Sequence, residues 1–200
     1  MKRKKLNMAL FSVGQQLLLK RMFRTMAVSA RIIKQPCIIV INHSSFYDAL
    51  VLFELYQQGY LPKNTVVAMS AHGLKTVPLF KGLGVQPISK PIQLSEYKQL
   101  LQLAKTETLA LFPQGVEQHQ ERRPLTLQRG IDTIMTRFPT YALLVVSIYY
   151  SFTDSLRGEI ACRLTLKTQP ISIEQVMTEE LEQLKYAVVN NQMKGFVQLW

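Results

Sequence analysis

Two hundred residues, 48% of them apolar and 18% charged, suffice for one large domain with a full core and exclude a disordered chain. The net charge of +11 belongs to one end: residues 1–47 carry nine basic side chains (Lys2, Arg3, Lys4, Lys5, Lys20, Arg21, Arg24, Arg31, Lys34) and no acidic one, while the remainder carries fifteen basic and thirteen acidic. Cys37 and Cys162 both sit in apolar, strand-like runs and read as reduced core residues of a reducing compartment, and no Cys-x-x-Cys or paired-histidine spacing suggests a metal site.

From Lys5 to Arg31 no proline interrupts the chain and helix formers dominate, which predicts a helix. On a 3.6-residue wheel Met8, Phe11, Leu18, Met22 and Met26 share one broad face, with Lys20, Arg21 and Arg24 opposite. Gln15, Gln16, Lys20 and Arg21 break the run of about 20 apolar residues that a transmembrane helix needs. Lys2–Lys5 resembles the start of a signal peptide and Val28-Ser29-Ala30 its cleavage site, but three bases lie between the apolar run and that site. A core helix with a basic start is one reading. Basic and apolar faces together favour the other, an interfacial helix on an anionic membrane surface. Residues 1–30 are thus expected to form a basic membrane-contact helix and 31–200 the main domain, peripheral on the cytoplasmic face of a membrane. Nucleic acid is not expected as a partner: no aromatic residues interleave with the bases, and no helix-turn-helix or zinc pattern follows.

After Pro36 the pattern alternates. Strands are predicted over 37–41, 65–69, 85–88, 108–112, 141–150 and 160–167, and helices over 47–58, 70–80, 94–105, 127–137 and 173–192. This order implies an α/β fold, a mostly parallel sheet with helices on both faces. Ligands bind such sheets beyond the carboxyl ends of the strands.

Two groups of residues stand at such ends. Asn42-His43-Ser44-Ser45-Phe46-Tyr47-Asp48 sets a histidine at a strand exit and an aspartate five residues on, in the first turn of a helix. That spacing folds the carboxylate back onto one imidazole nitrogen and leaves the other to take a proton. The strand over 108–112 runs into Pro113-Gln114-Gly115, a turn whose glycine lets the backbone approach a ligand closely. A base with its orienting acid, beside a backbone-lined turn, is what acyl transfer requires. His72 and His119 read as structural or surface residues, and Gly82-Leu83-Gly84 lacks the third glycine of a dinucleotide loop.

These blocks resemble a known family. His43 to Asp48 has the His-x4-Asp spacing of the glycerolipid (lysophosphatidic acid, PlsC-like) acyltransferases, and Phe112-Pro113-Gln114-Gly115 is similar to their Phe-Pro-Glu-Gly block. Gly84 to Lys90 resembles the intervening block that ends in a base, with lysine for the usual arginine, and Gln128-Arg129-Gly130 with the strand that follows resembles the last block, without its proline. The resemblance runs from about residue 30 to about residue 150.

It implies the PlsC-like fold and an O-acyltransferase. His43 is then the general base on an acceptor hydroxyl that attacks the thioester of acyl-CoA or an acyl carrier protein. Asp48 holds the tautomer, and amides around Gly115 stabilise the oxyanion. The donor serves as a substrate, no further cofactor is called for, and no Gly-x-Ser-x-Gly elbow exists to carry a covalent acyl group. The substrate-binding residues implied are Lys90, Phe112, Pro113, Gln114, Gly115 and Glu117. Where the family continues Thr-Arg-Ser this chain has Val116-Glu117-Gln118, so a carboxylate replaces the arginine that helps hold the acceptor phosphate. The expected acceptor is therefore a lipid or glycolipid hydroxyl without a phosphate clamp. The alternatives are a 1-acylglycerol-3-phosphate acyltransferase of phospholipid synthesis and a non-catalytic lipid-binding protein on the same fold; the intact His43/Asp48 pair favours an enzyme.

Overall fold

The computed structural model describes residues 5–29, 33, 37–80, 82–168 and 172–200, with 5–7 and 79 in backbone only. Of the bases expected to lead the chain, Lys2, Arg3 and Lys4 lie outside what is described, as do Arg31 and Lys34, and Lys5 is described in backbone only. The elements in chain order are α1 (Lys5–Met22), β1 (Phe23–Ser29), β2 (Cys37–Ile41), α2 (Tyr47–Gln57), β3 (Thr65–Ser70), α3 (Ala71–Thr76) with a 3-10 turn (Pro78–Phe80), β4 (Val85–Ile88), α4 (Leu94–Ala104), β5 (Thr108–Leu111), α5 (Gly130–Arg137), β6 (Ala142–Ser151), β7 (Gly158–Lys167), α6 (Ile173–Val189) and β8 (Phe196–Gln198).

The strands form one eight-stranded sheet in the order β4-β3-β5-β2-β6-β7-β1-β8. The first five run parallel, β7 returns antiparallel to β6, β1 is parallel to β7, and β8 closes the edge antiparallel to β1. The fold is α/β and mostly parallel, as the alternation predicts. Its two cores follow from the period of two along each strand. Ile39, Ile41, Leu144 and Val146 point to the face covered by α1 and α2, and Ile38, Val40, Leu143 and Val145 to the face covered by α4, α5 and α6.

The N-terminal segment departs from expectation in two ways. The helix stops at Met22, and residues 23–29 form a strand inside the sheet, with Met26 and Val28 fully buried. No glycine or proline marks the change; the alternation of Met26 and Val28 fits a pleated surface, and ladder bonds to β7 and β8 decide it. The helix also presents a different face to the protein. Phe11 and Leu19 are buried, with Phe11 edge-on to Phe53 at 4.7 Å between ring centres. Gln15 donates to the buried carboxylate of Glu54, as do Gln16 at 3.0 Å and Gln58 at 2.8 Å. The polar residues that interrupt the apolar run thus supply the donors a buried carboxylate demands. The outward face carries Leu10, Val13 and Leu17. Helix α5 begins three residues later than predicted, because Gln128 donates its amide to the Pro113 carbonyl (2.7 Å), which holds 127–129 out of the helix.

Candidate active site

Parallel pairing of β2 with β5 on one side and β6 on the other brings the ends of three strands to one edge of the sheet. The chain leaves β2 through Asn42, whose side chain grips the backbone of Ile148 in β6 by two bonds, Oδ1 accepting at 2.7 Å and Nδ2 donating at 2.9 Å. That clamp continues the ladder one residue past the strand and fixes the next, His43.

His43 Nδ1 lies 3.0 Å from Asp48 Oδ2. A carboxylate only accepts, so Nδ1 carries the proton and Nε2 presents its lone pair. Nε2 has no partner among the described residues, and the ring lines an open cavity. Asp48 is fully buried, and every hydrogen bond to it is local or from one tyrosine. The amides of Ser44 (2.7 Å) and Ser45 (2.8 Å) donate to Oδ2 and the Tyr150 hydroxyl (2.7 Å) to Oδ1. Burial, then the Asp48 charge, push the Tyr150 hydroxyl well above its usual range, so it stays a donor. Tyr150 is the residue that sequence reasoning misses: it lies 102 residues from Asp48, and only the pairing of β6 beside β2 shows that it faces α2.

The turn after β5 braces the other side. Phe112 sits on the His43 ring at 4.7 Å between centres. Gly115 adopts φ +71°, and a Cβ there would lie 3.0 Å from Gln128 Cγ, so the position calls for glycine. Lys90, from the end of β4, donates its ammonium to the Gly115 carbonyl. The Gly115 amide itself is used by the turn, donating to the Phe112 carbonyl at 3.0 Å. The next two amides, of Val116 and Glu117, have no acceptor among the described residues. These, with the remaining ammonium protons of Lys90, are the donors that stand closest to the expected oxyanion role.

Two cavities meet at this wall. One, of about 340 Å³, is lined by His43, Phe46, Met69, Phe80 and Glu117 on the α2 and α3 side. The other, of about 790 Å³, lies between α4 and α5, lined by Ile92, Leu100, Pro113, Leu127, Arg129 and Ile134. Ile88, Lys90, Phe112, Gly115 and Val116 line both. Of the expected substrate contacts, Lys90, Phe112, Pro113, Gly115 and Glu117 therefore reach cavity surface. Gln114 does not. It is buried and its Oε1 accepts from the His43 amide, a backbone donor that the strand end leaves without a ladder partner. Gln114 thus holds the His43 backbone and lines neither cavity.

The model of the family described as Acyltransferase matches residues 20–151, well over half of the chain and all of the site just described. The chain belongs to that family, the PlsC-like glycerolipid acyltransferases. No curated protein matches it significantly. The protein is therefore an acyltransferase, and the reading of the same fold as a non-catalytic binder gives way to the enzyme.

Arg122 and Arg123, which follow the altered block, line neither cavity. Arg123 is held 2.6 Å from Glu182 of α6 and donates to the carbonyls of Gln120 and Arg122. Among the described residues, the lysine and arginine on the walls of these two cavities are Lys90 and Arg129.

Proposed function

We propose that this acyltransferase moves an acyl chain from acyl-CoA or an acyl carrier protein to a hydroxyl of a lipid or glycolipid acceptor, without a phosphate clamp beside the base. His43 Nε2 removes the hydroxyl proton, the oxygen adds to the thioester carbonyl, the C–S bond breaks, and the imidazolium returns its proton to the leaving thiolate. The products are an ester and a free thiol. Asp48 stabilises the imidazolium while it lasts. The observation that carries this reading is that His43, oriented by Asp48, lines a cavity that shares the wall of Phe112, Gly115 and Val116 with a larger, predominantly apolar one. The larger is within the size range of small-molecule sites and suits an acyl chain.

The acceptor assignment rests on Glu117, exposed on the wall of the His43 cavity, where its charge repels a phosphate. The second reading, a 1-acylglycerol-3-phosphate acceptor, is favoured by Lys90 and Arg129. An acyl thioester supplied with lysophosphatidic acid, glycerol 3-phosphate and a panel of neutral glycosides and alcohols, with thiol release followed, decides between them. Turnover with a neutral acceptor is expected. Efficient turnover with a phosphate acceptor that is lost in Arg129→Ala would establish the second reading.

The enzyme works at a membrane surface, peripherally and on the cytoplasmic side. In support, α1 turns Leu10 (67% exposed), Val13 (62%) and Leu17 (67%) outward, with Lys20 and Arg21 exposed at its end. Among the described residues no helix is long and apolar enough to cross a membrane. Because Phe11 and Leu19 belong to the core, truncation would unfold the chain, and the suitable test is Leu17→Glu. That variant should float with anionic vesicles more weakly than the parent, and salt should weaken both, since each base near the surface contributes about 1 kcal/mol.

A further inference from the structure

A membrane contact through α1 leaves a second apolar feature unexplained. The turn between β6 and β7, residues 152–157, carries Phe152 at 71% exposure and a Leu156 side chain wholly in solvent. Single exposed apolar residues are ordinary on protein surfaces. These two are set apart by where they lie, what they adjoin and which charges surround them.

Their position follows from the topology. Strand β6 runs parallel to β2 and continues past its end, so it leaves the sheet at the edge where β2 delivers His43. Strand β1 begins at that same edge, Phe23 pairing with Gly158, so α1 ends there too. The hairpin and the last turn of α1 are joined directly. The Arg157 guanidinium donates to the Lys20 carbonyl at 3.0 Å. The rings of Phe23 and Phe152 both lie over Gly158, where a Cβ would stand 3.0 Å and 3.2 Å from them. Met22, partly exposed, completes the step from one to the other. The charges around the junction are Lys20, Arg21, Arg24 and Arg157 against Asp154 and Glu159, and both of those carboxylates are already engaged by Arg24. The uncompensated charge is positive and rings an apolar tip.

We propose that the β6–β7 hairpin is a second membrane anchor, Phe152 and Leu156 entering an anionic lipid bilayer beside the last turn of α1. An apolar tip within a cationic collar matches the headgroup boundary of such a bilayer, and Leu18 and Met22, exposed near the end of α1, add apolar surface beside it. The consequence for function is orientation. With the hairpin seated, the carboxyl edge of the sheet faces the lipid, and the His43 cavity, with the exposed ring of Phe46 on its wall, opens toward it. A lipid acceptor then reaches the base from the bilayer without crossing water. Aromatic packing ties the anchor to the dyad: Phe23 lies 5.0 Å from Tyr47 and 5.6 Å from Tyr150, whose hydroxyl donates to Asp48. The inference rests on the proposed interfacial reading and deepens it.

The test uses the full chain and mixed phosphatidylglycerol–phosphatidylethanolamine vesicles. In a Trp200→Phe background, Leu156→Trp places a fluorescent reporter at the tip, and Tyr186→Trp places a control on exposed α6, across the sheet. The tip reporter should shift to the blue and be quenched by brominated lipid, while the control should do neither. In the otherwise native chain, Leu156→Asp should weaken vesicle partitioning about tenfold, equivalent to about 1.4 kcal/mol, with unchanged thiol release from a soluble short-chain thioester. Protein that floats with the vesicles while the tip reporter stays red and unquenched, or unchanged partitioning of Leu156→Asp, overturns the anchor and leaves the interfacial reading standing. Protein that does not float overturns both.

Discussion

Replacing Asp48 by asparagine is the sharpest probe of the dyad, because shape is kept and charge is removed. The asparagine oxygen can keep the two amide bonds from Ser44 and Ser45 and the contact with His43 Nδ1. Its amide faces Tyr150, whose hydroxyl oxygen can accept in place of donating. The fold should therefore survive, which circular dichroism and thermal unfolding would check. What is lost is the attraction between the carboxylate and the imidazolium formed as His43 takes the proton. Unit charges about 4 Å apart at an effective dielectric constant of about 20 attract by about 4 kcal/mol. If half of that attraction has developed in the transition state, the loss is about 2 kcal/mol, or roughly thirtyfold; full development gives roughly a thousandfold. The assay is thiol release from an acyl thioester in the presence of a hydroxyl acceptor, with His43→Ala as the reference for a missing base. A folded Asp48→Asn protein that turns over within about threefold of the parent would refute the role given to this carboxylate.

Tyr150→Phe removes one donor from a fully buried carboxylate, so thermal or denaturant unfolding should show a loss of about 1.5–3 kcal/mol, with a smaller fall in turnover than Asp48→Asn because three contacts still hold Oδ2. The Lys185 hydrogen bond, then that of Tyr149, hold the Glu121 carboxyl below its usual range. A depressed carboxyl stabilises the fold above its unfolded pKa of about 4.3 and loses that contribution as pH falls through the folded value. Melting temperatures of Glu121→Gln and the parent should thus differ at neutral pH and converge in acid; a gap that persists at pH 3 would contradict this. Burial pushes the Cys37 thiol up to about 12 and the Cys162 thiol higher still. Neither should react with a disulfide reagent until the chain is unfolded, which also keeps the thiol-release assay free of background.

Much of the site is local in sequence, and that part is legible there. His43 and Asp48 are five residues apart across a strand end, a turn and the first turn of a helix, and so short a path keeps the two side chains within reach of each other. The strands from 37 to 167 are equally readable, because buried parallel strands are short apolar runs between turn residues. The neighbours of the dyad are not. Tyr150 and Phe112 reach it because β6 and β5 flank β2, a matter of strand order that no periodicity encodes. Gln114 looks like a ligand contact in a motif and becomes a brace because the His43 amide lacks a ladder partner. The N-terminal segment shows the limit most clearly. Its composition specifies an apolar, basic stretch, and both a helix and a strand satisfy residues 23–29 locally. Open pairing positions beside β7 and a buried Glu54 in need of donors decided where the helix ends and which of its faces turns inward. Local propensity is worth tenths of a kcal/mol per residue, whereas a ladder bond or a satisfied buried carboxylate is worth about 1 kcal/mol or more, so tertiary structure wins wherever the two compete.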